Sequence, residues 1–532
     1  MAAPWWNIPR DQADSAGMLA HLHALLVDGD LLFDDDYAAL NMSPLFAFVT
    51  DEGVVSNHWP AGASWLQAPG YALGLLASRA LEGLGIGHGD PLGVVPVLGV
   101  RAWAMLVLAG IALAVAQLVA AAQLDAGRAG ARRAGWGVAA IFVVGTPLLY
   151  YATESPLRPH LWGCACTLAL VALWWRRSPE HPWARTIALA SLAGLATYVR
   201  PQLAPLWLLV VHDAWDDGPR RWPRIAVSAA VFVAWPLAHL RTQLWIYGEG
   251  LDAYAGEVTH HTGYFLLSTH HGALSWCPVL GLGAVALGLA VARRERGAWL
   301  LLALVLLQVW VDGGMRAIEP RSVLGTRTWA GGVSFGPRKL VDVLPLLLPA
   351  VASLVARLRQ RGQGSRLLTI AALLSLPTLL LHASAWLDPD ATTGGIMDGA
   401  AYLEALRRPL SPGAWAAAWA QRGVPAVVPA VVSGLVTLPL LLVGWLGAVA
   451  IRRRPAIDPL RLAGGLGAGG LLLVHGWLAV VLLRSDAARE AEPERMLRAA
   501  TRMTGPHLAT VRRIPQHHAL LRERLGPGAA PP

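Results

Sequence analysis

Apolar runs of about 20 residues, the length that crosses a bilayer core, recur along the whole of this 532-residue chain. They confine it to an all-α membrane fold, since a segment in lipid must satisfy its own backbone polar groups. Only 14% of the residues are charged, where a soluble chain carries about 25%. The pattern predicts a polytopic bundle of about 12 spans, at roughly 98–122, 134–151, 158–175, 184–199, 201–214, 222–240, 273–292, 297–312, 339–356, 364–384, 425–451 and 462–484. The pair at 184–199 and 201–214 is short and turns at Arg200-Pro201.

The basic residues fall in clusters between these runs: Arg128, Arg132 and Arg133; Arg176 and Arg177; Arg220, Arg221 and Arg224; Arg293, Arg294 and Arg296; Arg357, Arg359 and Arg361; Arg452, Arg453 and Arg454. That is the distribution of cytoplasmic loops under the positive-inside rule, so the net charge of +9 does not indicate a nucleic-acid partner. With the clusters inside, the outer loops are 152–157, 241–272, 313–338 and 385–424. The chain then divides into a first outer loop (1–97), a transmembrane domain (98–484) and an Arg-rich outer tail (485–532). Lys339 is the sole lysine, and with abundant Ala, Gly and Pro this points to a GC-rich genome and a bacterial inner membrane. Cys164, Cys166 and Cys277 show neither a disulfide framework nor zinc spacing.

Residues 62–84 are nearly long enough to cross, but a crossing from an outside N-terminus would put Arg128–Arg133 on the wrong side. They read as an amphipathic helix at the outer interface. The alternative is an ordinary span with residues 1–61 in the cytoplasm. The start of the chain has no charged segment followed by an apolar core, so no signal peptide is expected. An outside start without a signal implies a missing first span and about 13 spans in the complete fold.

The densest acidic region runs from Asp11 and Asp14 to Asp28-Gly-Asp30 and Asp34-Asp35-Asp36. Between them Met18, Leu19, Leu22, Leu25 and Leu26 recur at helical spacing, predicting a short amphipathic helix over 15–27. Asp14 also fits a plain helix cap, and Asp34–Asp36 a solvated turn or a calcium-like site. Arg200, Arg338 and Lys339 lie near predicted outer ends of spans, where a guanidinium fork could hold a lipid phosphate or merely anchor a helix at the interface. The pairs His260-His261, His270-His271 and His517-His518 invite a metal reading, but adjacent histidines do not easily share one ion, so no cofactor is expected and a divalent metal is not favoured.

The acidic opening of a short helix, the following DGDL and the PAGASWLQAP segment resemble the first outer loop of GT-C membrane glycosyltransferases, among them protein O-mannosyltransferase and aminoarabinose-transferase relatives in bacteria. The segments YYATES, VRPQ, HGALSW and GGVSFGPRK resemble later signatures, so the likeness runs over roughly residues 11–345. It implies a GT-C-type bundle that transfers a sugar from a polyprenyl-phosphate donor to a lipid, glycan or protein acceptor on the periplasmic face. Asp14 matches the family's general base, with Asp11 second. Arg200, His271, Arg338, Lys339, Asp28 and Asp30 are the corresponding substrate-binding candidates. Ser15 departs from the family, where a second acid often follows the first, so a paired-carboxylate or metal-dependent chemistry is not expected. Two other classes stay open: a polysaccharide ligase or polymerase, and a transporter or flippase for lipid-linked oligosaccharide, although no two-half repeat is visible.

Overall fold

Among the described residues the apolar runs fold as helices, many of which end where the sequence turns to Arg, Gly or Pro. The computed structural model describes residues 13–40, 50, 54–57, 59–86, 89–123, 128–176, 181–216, 218–248, 260–314, 335–388, 392, 397–415, 417 and 459–491. Asp11, the predicted span at 425–451, His517-His518 and the tail beyond 491 lie outside them.

Among the described residues every regular element is helical. In chain order the helices are α1 (Ala13–His23, continued by a π turn Ala24–Asp28), α2 (Asp34–Ala39), α3 (Gly62–Gly83), α4 (Val94–Ala121), α5 (Arg128–Val144), α6 (Leu148–Thr153), α7 (His160–Trp175), α8 (Pro182–Val199), α9 (Trp207–Trp215), α10 (Arg221–Tyr247), α11 (Thr262–Leu267), α12 (Ala273–Trp276), α13 (Val279–Ala292), α14 (Ala298–Gly313), α15 (Leu348–Gln360), α16 (Gly364–Leu387), α17 (Gly399–Arg407) and α18 (Pro459–Ala491). Among the described residues, five segments are long and apolar enough to cross a membrane: Val94–Ala121, Gly218–Tyr247, Arg338–Gln360, Gly364–Leu387 and Gly469–Ala488. His160–Trp175, Val279–Ala292 and Ala298–Gly313 are shorter apolar helices of the same bundle.

Proline explains where predicted spans break. The run at 134–151 stops as α5 at Val144 and restarts as α6, because Pro147 has no N–H to continue the ladder. Thr146 bridges the gap, donating to Phe142 O at 2.7 Å and accepting from Leu148 N at 3.3 Å. In the run at 339–356, Pro345 lies within a 3-10 helix (Arg338–Leu347) that precedes α15. The short pair at 184–199 and 201–214 becomes α8, a 3-10 turn (Pro201–Leu206) and α9.

Helix α3 lies antiparallel against the first part of α4. The Trp103 indole donates to Leu66 O at 2.8 Å, while Gly70 meets Gly99 and Gly74 meets Pro96 backbone to backbone. The far end of α3 leaves Leu76 exposed, and the turn after it leaves Leu84 and Ile86 exposed.

Among the described residues, helix termini carrying Arg clusters meet at one end of the bundle. Arg359 in the last turn of α15 reaches Gln123 after α4, Arg296 pairs with Asp216 at 3.2 Å, and Gly297 sits against Trp174 at the end of α7. Helix α1, the start of α7 and the ends of α8 and α14 gather at the opposite end. There α18 clamps the first loop, since Trp477 donates to Leu25 O at 3.1 Å and Ser485 accepts from Leu31 N at 2.8 Å.

Candidate functional site

Asp14, in the first turn of α1, is fixed from two sides. The Trp59 indole donates to its Oδ1 at 3.1 Å, and Arg338 Nη1 lies 2.5 Å from its Oδ2. The Arg158 Nε stands 3.9 Å from the same oxygen. Gly17 allows this arrangement, because a Cβ there would overlap the Trp59 ring at 2.0 Å. Gly336, at φ +59°, makes the turn that brings Arg338 up to Asp14, a conformation that an L side chain rarely adopts. The Asp14 side chain keeps 26% of its surface exposed and Arg338 keeps 18%, so the pair has an open side.

Below this pair the charges are buried. Arg200 Nε lies 3.0 Å from Asp342 Oδ2, and its Nη1 is 2.6 Å from His160 Nδ1. Lys339 Nζ donates to Asp312 O at 3.5 Å, and Gln308 donates to Asp312 Oδ1 at 2.8 Å. Arg158, Arg200, Arg338 and Lys339 all act electrostatically on the His160 ring, which marks them as one cluster. Among the described residues in these contacts, four cations face three carboxylates, so the site favours an anion.

The expected residues Asp14, Arg200, Arg338 and Lys339 are therefore brought together. His271 belongs to the wall behind them: it stacks on His270, meets Trp276 edge-on, and Trp276 in turn meets Phe335. Tyr151 ties that wall to the cluster by donating to Phe335 O at 2.9 Å. Asp28 and Asp30 are not part of this cluster. They sit past the far end of α1, about 20 Å from Asp14 at helical rise. Asp30 accepts from Leu32 N at 3.0 Å, and Asp28 contacts His23 at 2.9 Å.

Composition and motif matching passed over Asp312 and Asp342, and marked His160 only as part of the outer-face segment Arg158-Pro159-His160. Each is an ionisable side chain in or at the end of an apolar run, and that placement is itself a signal for function.

At the far end of α1, His23 Nδ1 lies 2.9 Å from Asp28 and 2.7 Å from Asp36. Burial opposes a charge on His23, but its contacts with Asp28 and Asp36 outweigh burial and push the imidazole up to about 10. Burial also pushes the Asp36 carboxyl up to about 7, against the pull of His23.

A groove lined almost wholly by aliphatic side chains opens between α5, α13, α15 and α16. Leu344, one of its lining residues, follows Arg338 on the same 3-10 helix at about 12 Å by 3-10 rise.

No protein-family model, no curated protein and no solved structure matches this chain.

Proposed function

We propose that this chain is a membrane glycosyltransferase of GT-C type, moving a sugar from a polyprenyl-phosphate donor to an acceptor hydroxyl at the outer face of a bacterial inner membrane. In this reading the described helices and the run at 425–451 make up about 12 spans. The observation that carries it is the Asp14–Arg338 contact, an accessible carboxylate beside a cluster of buried cations.

The residues suit the two halves of such a transfer. An acceptor alcohol is a poor nucleophile, so a carboxylate must take its proton as the glycosidic bond breaks. Asp14 Oδ2 is the oxygen for that proton. The acceptor oxygen bonds to the anomeric carbon, the bond from that carbon to the donor phosphate breaks, and the lipid phosphate leaves with the electron pair. Arg338 and Lys339 hold its negative charge, which removes the need to protonate it. A phosphate arriving at Arg338 competes with Asp14 for the guanidinium and leaves Asp14 Oδ2 free for the acceptor. The aliphatic groove below Leu344 suits the start of a prenyl chain whose phosphate lies at Arg338.

The test is transfer from a polyprenyl-phosphate sugar to envelope lipids or glycans by the purified full chain in lipid nanodiscs. Asp14→Asn keeps an acceptor for the Trp59 indole but cannot take a proton. It is expected to lower transfer about 10²–10⁴-fold with an unchanged unfolding temperature. Full activity in that variant would remove Asp14 as the base.

A further inference from the structure

We infer that the far end of α1 carries a site for one divalent transition-metal ion, of the Mn²⁺ or Zn²⁺ kind, held by His23, Asp28 and Asp36. This site does not rest on the glycosyltransferase reading, and it is separate from His260-His261 and His270-His271, which the fold keeps in other places. His260 stacks on Trp310, whereas His270 and His271 stack on each other.

The first argument is geometric. One ligand atom from each of the three side chains lies within 4.8 Å of the others, and Nδ1 stands 2.7 and 2.9 Å from the two carboxylates. Two ligands at about 2.1 Å from an ion and at right angles to each other are about 3.0 Å apart. His23 Nδ1 already stands at the spacing of adjacent corners of a coordination sphere from each carboxylate, and the two carboxylate oxygens lie within 4.8 Å of each other.

The second argument is the state of Asp36. Its side chain is 0% exposed, and beyond the approach of Nδ1 neither of its oxygens accepts a hydrogen bond from any described residue. A buried carboxylate without donors is costly. A single proton on Nδ1 can point at only one of two carboxylates, whereas a cation at the centre serves all three groups. An imidazole nitrogen with two carboxylates suits Mn²⁺ or Zn²⁺ better than Ca²⁺ or Mg²⁺, which favour all-oxygen shells. Asp28, at 25% exposure, leaves the site a route to solvent and room for water ligands.

The ion would pin the end of α1 to α2, next to the place where Ser485 of α18 holds Leu31. With His23 about 14 Å along α1 from Asp14, the ion is too far to touch the reacting groups and acts as a structural clip for the first loop.

The experiment uses the full chain in detergent, stripped with chelator and titrated with MnCl₂ or ZnCl₂, with bound metal read by equilibrium dialysis and elemental analysis. One equivalent per chain and a rise in unfolding temperature are expected. Asp36→Asn and Asp28→Asn should each weaken binding about tenfold or more. Asp28→Asn, the more exposed change, keeps the test decisive if Asp36→Asn does not fold. No stoichiometric uptake by the wild-type chain, or equal uptake by wild type and both variants, would overturn the site and leave an imidazolium shared by two carboxylates. Because the readout is binding and unfolding, loss of transfer activity elsewhere cannot imitate either result.

Discussion

Two buried charge clusters sit at opposite ends of this bundle, and they are built differently. At the Arg-rich end, Asp213 of α9 takes Arg185 of α8 through both oxygens, with Nε at 3.1 Å from each and Nη2 at 2.9 Å from Oδ1. Arg224 of α10 adds its Nη2 at 2.9 Å and donates Nε to Thr186 at 2.7 Å. The remaining Arg185 donors go to the carbonyls of Arg176 and Trp174. All three side chains are at most 5% exposed. At the other end, Asp14 and Arg338 keep an open side, and Asp312 Oδ2 is buried without a hydrogen-bond donor among the described residues. A saturated cluster has nothing left to bind a ligand with, and it serves to join α8, α9 and α10. An unsaturated one retains the capacity for a ligand, at a cost in stability.

Removing Asp213 tests the first half of that contrast and should give the largest effect. Asp213→Ala leaves two guanidiniums buried without their carboxylate, which costs about 3–5 kcal/mol. The expected result is a large fall in unfolding temperature in detergent, with unchanged transfer per folded molecule. Replacing Arg185, Asp213 and Arg224 together by apolar residues of similar volume should recover most of that loss. A single variant as stable as wild type would show that the Arg-rich end is not held by this triad.

Arg338 tests the other half. Arg338→Ala removes a charge-assisted contact worth about 1.5–3 kcal/mol, so the apparent donor KM should rise about 10-fold to 100-fold. The unfolding temperature should move little, because the side chain is only partly buried and an unsaturated cluster contributes little stability. Arg338→Lys should recover part of the affinity, since it restores the charge but not the fork. A marked loss of stability with unchanged donor KM would make Arg338 an interface anchor and erase the distinction between the two ends.

The helices and the end-to-end sorting of the Arg clusters were legible because both depend on local composition: apolar length sets the elements, and charge sets which ends meet. The break at Pro147 was equally readable, and the run at 134–151 hid it only because hydropathy was averaged across it. The pairing of Asp14 with Arg338 could not be read from spacing, since 324 residues separate them and only the fold supplies the contact. Resemblance named both residues without showing that they touch. The same averaging concealed Asp312 and Asp342, single acids in apolar surroundings. Grouping Asp28 and Asp30 with Asp14 neglected the rise of the helix between them, which carries the two aspartates beyond reach of the cluster.

The smallest expected effect concerns Trp59, which acts on the site through Asp14. Trp59→Phe keeps an aromatic ring against Gly17 and removes only the indole N–H that holds Asp14 Oδ1. Arg338 still holds Asp14 in that variant and the carboxylate has an open side to water, so the lost bond should cost only about 1 kcal/mol and kcat should fall roughly 5-fold. Donor KM should stay constant, because the lipid phosphate is assigned to Arg338 and Lys339 and the indole touches neither. A merely structural role would lower the unfolding temperature instead and leave kcat per folded molecule intact. A rise in donor KM would place Trp59 among the groups that bind the donor, and the open end of the bundle would then have to extend beyond Asp14 toward the loop that carries the indole.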